Sequence, residues 1–280
     1  MMPSPSRETP LTGAYCNGLS GGSAGGRTFS GSRHYVPPVP FTLSHPAVVL
    51  GLRRSGLPMA GLVAGSMVPD LPMFDVVPYG YDLSHSAVGL VTVDLTAGSV
   101  AVMLWVLLVR GALVSASPHW VRARLPDARL TRREWLLVPV AAVVGAATHV
   151  GWDALTHEGR WGDRHVPWLH DDLFGHAGYH WAQAASSVLG LVVLAVYGAV
   201  VVTRRAPVGP GPAPGGASVA RWSLAAVTVG TVGVALVAAG STLGEGLHAA
   251  AFSAAERGLT VLIVGLLVAG GAWRLAAGRG

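Results

Sequence analysis

The chain has 280 residues, of which 51% are hydrophobic and only 12% are charged, and its mean hydropathy is +0.50. Soluble domains carry about 25% charged residues, so the composition argues against a soluble domain and favours an integral membrane protein. The net charge of +5 is carried without lysine, and no basic stripe alternates with aromatic residues, so we expect no nucleic-acid partner. Cys16 is the single cysteine, which excludes an internal disulfide and a cysteine-rich zinc site.

The first 38 residues are rich in Gly, Ser, Pro and Arg and show no periodicity. They contain no apolar segment of the length that a signal peptide needs, so residues 1–38 are predicted to be a disordered leader. Patterned sequence begins at Val39, in the stretch VPFTLSHP. A second interpretation is that Val39 is the start codon, read as Met, and that the leader is not translated.

Four later stretches are long enough to cross a bilayer, which takes roughly 20 apolar residues. They are residues 86–109, 135–152, 182–203 and 222–243, and a fifth apolar stretch, 259–273, is shorter. The apolar stretch 57–68 is too short to cross, and the preceding Arg53 and Arg54 make a longer span there costly. We expect two short helices in that region, packed at the membrane surface or re-entrant. The predicted fold is an all-α, polytopic membrane bundle.

After the leader, the chain divides into three predicted parts. Residues 39–203 hold the membrane helices that bear the candidate site, 204–221 form a Pro- and Gly-rich linker, and 222–280 form C-terminal membrane helices. Arginines cluster between the first and second spans and in the linker, so the positive-inside rule makes both connections cytoplasmic. The segment 153–181, with five acidic residues against two arginines, then faces the other side.

The stretch THVGWDALTH, residues 148–157, ends the second predicted span. Four residues turn a helix through roughly 400°, so His149, Asp153 and His157 share one face within an arc of about 80°. Imidazole and carboxylate are donors that zinc accepts. For His157 a second reading is equally open, since a histidine at the end of a helix also acts as a capping cation.

Three further polar residues lie before the first span: His45 in FTLSHP, Asp70 in GSMVPDLP and His85 in YDLSHS. Each alone fits a helix cap or a turn. Because the spans alternate, however, His85 and the THVGWDALTH motif fall at the same non-cytoplasmic end of the bundle. That shared end predicts a metal or acid/base site. Asp94 lies within the first span, on the helical face opposite to His85, and is interpreted as a packing or proton-related residue.

The segments PFTLSHPAVVLGLRRSGLPMAGLVAGSMVPDLPMF, SHSAVGLVTVDL, GAATHVGWDALTH and QAASSVLG resemble the bacterial membrane family called domain of unknown function 4184. That family is similar to membrane-bound metal-dependent hydrolases of the YdjM type and, more remotely, to zinc-dependent phospholipase C and S1/P1 nucleases. The remote relatives are helical and bind zinc through ligands in the order His, Asp, His, then HxxxD.

The resemblance implies a ligand set in this chain. The residues that match the order are His45, Asp70, His85, His149 and Asp153, with His157 as the next histidine. The remote relatives end on an HxxxE pair, which this chain lacks. We therefore expect a divalent metal, zinc, as one or two ions and not three.

The resemblance also implies a function: a metal-dependent hydrolase of phosphate esters or phospholipids, with Asp153 and His157 as its catalytic residues. The expected location is the bacterial inner membrane, with the lipid bilayer as partner and the cluster on the non-cytoplasmic face. The alternative is a non-enzymatic metal-binding structural protein or a transporter.

Overall fold

The computed structural model describes residues 42–125, 129–208 and 216–278, all within one compact unit. The predicted leader, 1–38, lies outside the described residues, and so does the middle of the predicted linker. Within the described ranges the chain is helical apart from one two-stranded hairpin, and the predicted all-α fold is confirmed.

The first region is a series of short helices that prolines interrupt. The α-helices are α1 (Pro46–Val49), α2 (Met59–Gly65) and α3 (Tyr81–Ser84); 3₁₀ segments cover Thr42–Ser44, Leu50–Leu52 and Val68–Phe74. Pro46 begins α1 and Pro58 immediately precedes α2, where a proline costs no backbone hydrogen bond. Leu62 of α2 is fully buried, so this short helix is enclosed by the bundle and does not lie on its outside.

Five helices are long and apolar enough to cross a membrane. They are α4 (Ala87–Ala116), α6 (Arg132–Thr156), α9 (Gly178–Arg204), α10 (Ala217–Thr242) and α11 (Leu247–Ala277). Short helices α5 (His119–Arg122), α7 (Trp161–His165) and α8 (Pro167–His170) lie in the connections, and a 3₁₀ turn, Leu243–Glu245, joins α10 to α11. The fifth apolar stretch, predicted to be shorter than a span, belongs to the longest of these helices. Together the five helices indicate a multi-pass membrane protein.

Helix α6 begins three residues before the stretch that apolarity predicts. Thr131 accepts a hydrogen bond from the backbone N–H of Glu134, and the Glu134 side chain accepts one from the backbone of Thr131. This capping box satisfies N–H groups that the helix leaves unpaired, so the polar first turn is helical as well.

Small residues let α2 and α4 approach α6 closely. A methyl group on Gly65 would collide with the carbonyl of Ala142, and one on Gly145 would collide with the carbonyl of Leu62. A methyl group on Gly98 of α4 would come within 2.7 Å of the Ala142 side chain. Close backbone contact of this kind is how membrane helices pack without a hydrophobic driving force. It brings α2, and the 3₁₀ segment after it, against the end of α6 that carries the THVGWDALTH motif.

The connection between α6 and α9 contains the hairpin. Strand β1 (Asp172–Leu173) pairs antiparallel with β2 (His176–Ala177), with Leu173 opposite His176. Farther along the chain, α10 and α11 pack against each other and against α4, where Arg274 donates to the carbonyl of Leu107 at 2.6 Å. These last two helices contribute no residue to the cluster described next.

Candidate metal site

Two carboxylates and two imidazoles converge at one end of the bundle. His149 and Asp153 lie one turn apart on α6, Asp70 lies in the 3₁₀ segment after α2, and His85 directly follows α3. One ligand atom from each of the four residues lies within 4.8 Å of the others, and all four residues are buried. Such a group could hold a metal ion.

The histidine–carboxylate distances in the cluster are close to those of tetrahedral coordination. His149 Nε2 lies 3.3 Å from both Asp70 Oδ1 and Asp153 Oδ2. His85 Nε2 lies 3.3 Å from Asp153 Oδ2 and 3.9 Å from Asp70 Oδ1. Zinc holds nitrogen and oxygen ligands at about 2.0–2.1 Å, so neighbouring ligands of a tetrahedral site are about 3.3 Å apart. Three of these four distances between a histidine nitrogen and a carboxylate oxygen have this value.

Backbone carbonyls fix both imidazole rings from behind. His149 Nδ1 lies 2.9 Å from the carbonyl oxygen of Ser66, and His85 Nδ1 lies 3.1 Å from that of Tyr81. A carbonyl only accepts, so Nδ1 carries a proton in each ring and Nε2 is the atom that faces the cluster. Both Nε2 atoms are buried and have no hydrogen-bond partner among the described residues. Metal-ligating histidines are oriented in this way.

Hydroxyl groups support the other ligands. Thr42 donates to Asp70 Oδ2 at 2.6 Å, which leaves Oδ1 directed at the histidines. Ser84 donates to the carbonyls of Pro69 and Tyr81 at 2.8 Å, and so ties the segment of Asp70 to the segment of His85. Sequence reasoning did not identify these hydroxyls. Ser84 in fact ends α3, and Ser86 is the residue that caps the following helix.

The buried carboxylates call for a counter-charge. Burial alone would raise the pKa of Asp70, but the facing His149 ring outweighs that effect and, with the Thr42 hydroxyl, holds the pKa below its ordinary value. Asp70 is therefore an anion at neutral pH. Two carboxylates and two imidazoles that direct Nε2 at them are a donor set that suits a divalent cation once Nε2 is deprotonated.

His45 and His157 approach the second oxygen of Asp153. His45 Nε2 lies 3.8 Å and His157 Nδ1 lies 3.6 Å from Asp153 Oδ1, which is buried without a hydrogen-bond partner among the described residues. The ring of His45 stacks on that of His149 with centroids 3.8 Å apart. Burial, followed by the charge of His149, lowers the pKa of His45 to about 4, so this ring is neutral at pH 7. All six residues singled out in the sequence thus lie together.

His157 directly follows α6, and its ring lies beside the cluster. Its backbone N–H donates to the carbonyl of Asp153 as α6 ends, while its ring remains beside the Asp153 carboxylate. The ring is half-buried, at the edge of the cluster. It is the member of the group that is best placed to exchange protons with water.

A small cleft opens beside Asp153. It has about 20 Å³ of space, enough for one water molecule. Its lining includes Asp70, His45 and His157 on the cluster side and Gln183 and Ser187 from α9 on the other. The cleft therefore borders Asp153 and the two histidines that lie beside the four-residue group.

Other polar residues lie outside this group. Asp94 is fully buried in a π-helical segment of α4, and neither of its oxygens has a hydrogen-bond partner in the described chain. The prediction that Asp94 lies on the helical face opposite to His85 assumed the geometry of an α-helix. A π-helix has a wider turn, so that assumption does not hold in this segment. His176 and His180 contact each other edge to face at 6.1 Å, away from the four clustered ligands.

The fold and the site together define a class: a multi-pass helical membrane protein with a buried His/Asp cluster. The family model of the Domain of unknown function (DUF4184) matches residues 39–275, most of the chain. The chain belongs to this family. No curated protein and no solved structure matches it. The likeness to hydrolases therefore rests on the order of the ligands in the sequence.

Proposed function

We propose that this protein is a membrane-bound, zinc-dependent hydrolase of phosphate esters. The observation that carries the proposal is the set of four ligand atoms at tetrahedral spacing, beside a cleft that reaches Asp153. A catalytic metal keeps one position accessible, whereas a structural zinc site is closed, so a zinc ion held by all four residues would have to expand to five ligands to take up water from the cleft. Bound zinc would lower the pKa of a water molecule and polarise a phosphoryl oxygen.

The donor set favours zinc. Asp70, His85, His149 and Asp153 would hold the first ion, because nitrogen and carboxylate ligands at this spacing suit tetrahedral coordination. His45, His157 and the second oxygen of Asp153 are spaced more widely, at 3.6–3.8 Å, and would hold a second ion if two are bound. Asp153 would then bridge the two positions.

The chain's own residues would handle the proton. His157 stands at the edge of the cleft, 3.6 Å from Asp153 Oδ1, so either group can accept a proton from a water molecule in the cleft. His149 is enclosed and held by the Ser66 carbonyl, so its part is to ligate and not to move a proton. A phosphate ester or a phospholipid headgroup would enter from the α9 side.

The location follows from the arginine distribution. Arginine-rich connections next to α4 and α9 would be cytoplasmic, so the end of α6 that carries the cluster would face the opposite side. In a bacterium the site would then lie at the outer face of the inner membrane. The alternative function is a non-enzymatic metal protein or a transporter; transport sites lie near the bilayer midplane, whereas this cluster lies where α6 ends.

The test is hydrolysis of a panel of phosphodiesters and phospholipid vesicles by the detergent-purified protein. Activity should disappear with a chelator, return with zinc and be lost in Asp153→Asn, because the amide keeps the shape but not the charge that holds a cation. The matched control is Asp82→Asn, an exposed carboxylate before His85, which should keep full activity. Zinc-loaded protein that is inert toward the whole panel would favour the non-catalytic alternative.

A further inference from the structure

The hairpin after α8 has an unusual turn. Phe174 and Gly175 connect the two strands with φ angles of 56° and 86°. Two positive φ angles define a type I′ turn, which favours Asn or Asp followed by Gly. A bulky residue is rarely held in this conformation. Gly175 donates to the Asp172 side chain at 2.8 Å, and this bond helps to keep the turn in place.

Phe174 is directed away from the protein. Its side chain is 95% exposed, more than that of any other large apolar residue among the described segments. The strained turn is thus not compensated by burial of the ring inside the fold. A single exposed apolar residue is ordinary, but exposure combined with a strained turn and neighbouring exposed tryptophans indicates an interaction surface.

The hairpin lies at the level where α9 begins. The indole Nε1 of Trp181, in the first turn of α9, donates to the carbonyl of Leu173 at 2.8 Å. The turn is therefore fixed beside the start of a helix that is long and apolar enough to cross a membrane. Farther along the outside of α9, Val188, Leu189 and Val192 are each more than half exposed, as lipid-facing residues are.

Other exposed aromatic residues surround the hairpin in sequence. Trp161, Trp168 and Trp181 are 55%, 53% and 46% exposed, all in the connection from α6 or at the start of α9. Aromatic side chains concentrate at the boundary between lipid tails and headgroups, where one side of the ring is apolar and the other hydrated. The composition of this connection is that of an interfacial segment.

We propose that the Phe174 turn is a membrane anchor that inserts into the lipid interface of the leaflet in which α9 begins. The partner is the bilayer and not a protein, because the turn is hydrogen-bonded to Trp181 at the start of a helix that is long and apolar enough to cross a membrane. Insertion pulls the connection that starts at His157 onto the membrane surface. The proposal does not depend on the metal site or on hydrolase activity.

Site-directed spin labelling tests this proposal directly. Phe174→Cys is prepared in a full-length Cys16→Ser background, since Cys16 is the only native cysteine. The nitroxide-labelled protein is placed in nanodiscs of phosphatidylcholine and phosphatidylglycerol. Its relaxation is measured with oxygen, which concentrates in lipid, and with a water-soluble nickel chelate. Two references bracket the result: Leu189→Cys on the lipid-facing side of α9, and Glu158→Cys, exposed in the same connection.

An anchored turn gives a label at position 174 that responds to oxygen more than to nickel, closer to the position 189 reference. A label as accessible to nickel as that at position 158 would place the turn in water and overturn the proposal. Shielding from both reagents would also overturn it, since that pattern indicates a protein contact. Unchanged elution volume and helical circular dichroism check that each labelled protein is folded.

Discussion

At the scale of single residues, the cluster depends on groups that would not themselves touch a metal. The Thr42 hydroxyl, 2.6 Å from Asp70, is the shortest of these contacts and joins the first described segment of the chain to the site. We predict that Thr42→Val lowers zinc affinity by about 10–100-fold without unfolding the protein, because outer-shell partners orient the ligand. Competition with a chromogenic chelator measures the affinity.

The control for Thr42→Val is Thr96→Val. The Thr96 hydroxyl is exposed and donates only to the carbonyl of Thr92 in its own helix. Its loss should leave zinc affinity unchanged. Equal affinities for Thr42→Val and the wild type would show that Asp70 is positioned by other contacts.

A variant of His157 can distinguish a role in metal binding from a role in catalysis. If it accepts a proton, His157→Ala should keep zinc in the four-residue site while kcat falls by about 10²–10⁴-fold, the usual contribution of a general base. Metal content and steady-state kinetics measure the two effects. His165→Ala, an exposed histidine in α7, is the matched control and should be active. Full activity of His157→Ala would leave Asp153 as the sole proton acceptor among the proposed residues.

At the scale of elements, the contact between α2 and α6 positions the site. Gly65 lies against the Ala142 carbonyl, and the next residue, Ser66, supplies the carbonyl that orients His149. We predict that Gly65→Ala lowers the free energy of unfolding by about 1–3 kcal/mol, since overpacking separates the helices. The same displacement should weaken zinc binding. Thermal unfolding in detergent and chelator competition report the two changes.

Gly151 provides the control on α6 itself, between His149 and Asp153. A methyl group added there meets nothing within 4 Å. Gly151→Ala should therefore leave zinc affinity unchanged and alter stability by no more than about 1 kcal/mol, in the stabilising direction, because alanine favours helix. If both glycine variants behave alike, close packing at Gly65 is not what places His149.

The parts of the helices that could be predicted from sequence are those with a signal in the local sequence. Apolar length located four long helices, and the i, i+4 spacing of His149 and Asp153 placed both on one face. The start of α6 was missed because the capping box at Thr131, and not apolarity, extends the helix. The fifth helix was underestimated because Glu256 and Arg257 interrupt the apolar stretch, whereas the helix continues through them from Leu247.

The residues of the site were harder to predict from their local sequence than the helices were. Asp70 and His85 come from separate segments, and nothing in their own neighbourhoods distinguishes a ligand from a cap. The shared membrane face singled out His85, and the resemblance to a known order of ligands added Asp70 to the ligand set. The supporting carbonyls of Ser66 and Tyr81 had no sequence signal at all, because any residue type supplies a carbonyl. Tertiary packing decides which carbonyl faces an imidazole.

At the scale of the whole molecule, orientation in the membrane is the open prediction. A membrane-impermeant maleimide added to intact cells should label Glu158→Cys and not Arg133→Cys, both in the Cys16→Ser background. The two positions are exposed near opposite ends of α6, so they report opposite faces of the bilayer. Labelling of Arg133→Cys alone would put the cluster on the cytoplasmic side and contradict the arginine argument.

The central claim is that the buried His/Asp cluster binds a metal. Its most direct test is the metal content of detergent-purified protein, measured by mass spectrometry after zinc loading and desalting, for the wild type, His149→Ala and His119→Ala. His119 is exposed and outside the cluster, so that variant controls for adventitious binding. The account predicts at least one zinc ion per chain in the wild type and in His119→Ala, and loss of it in a folded His149→Ala. Wild-type protein that retains no metal, or a His149→Ala variant that retains as much as the wild type, would contradict it.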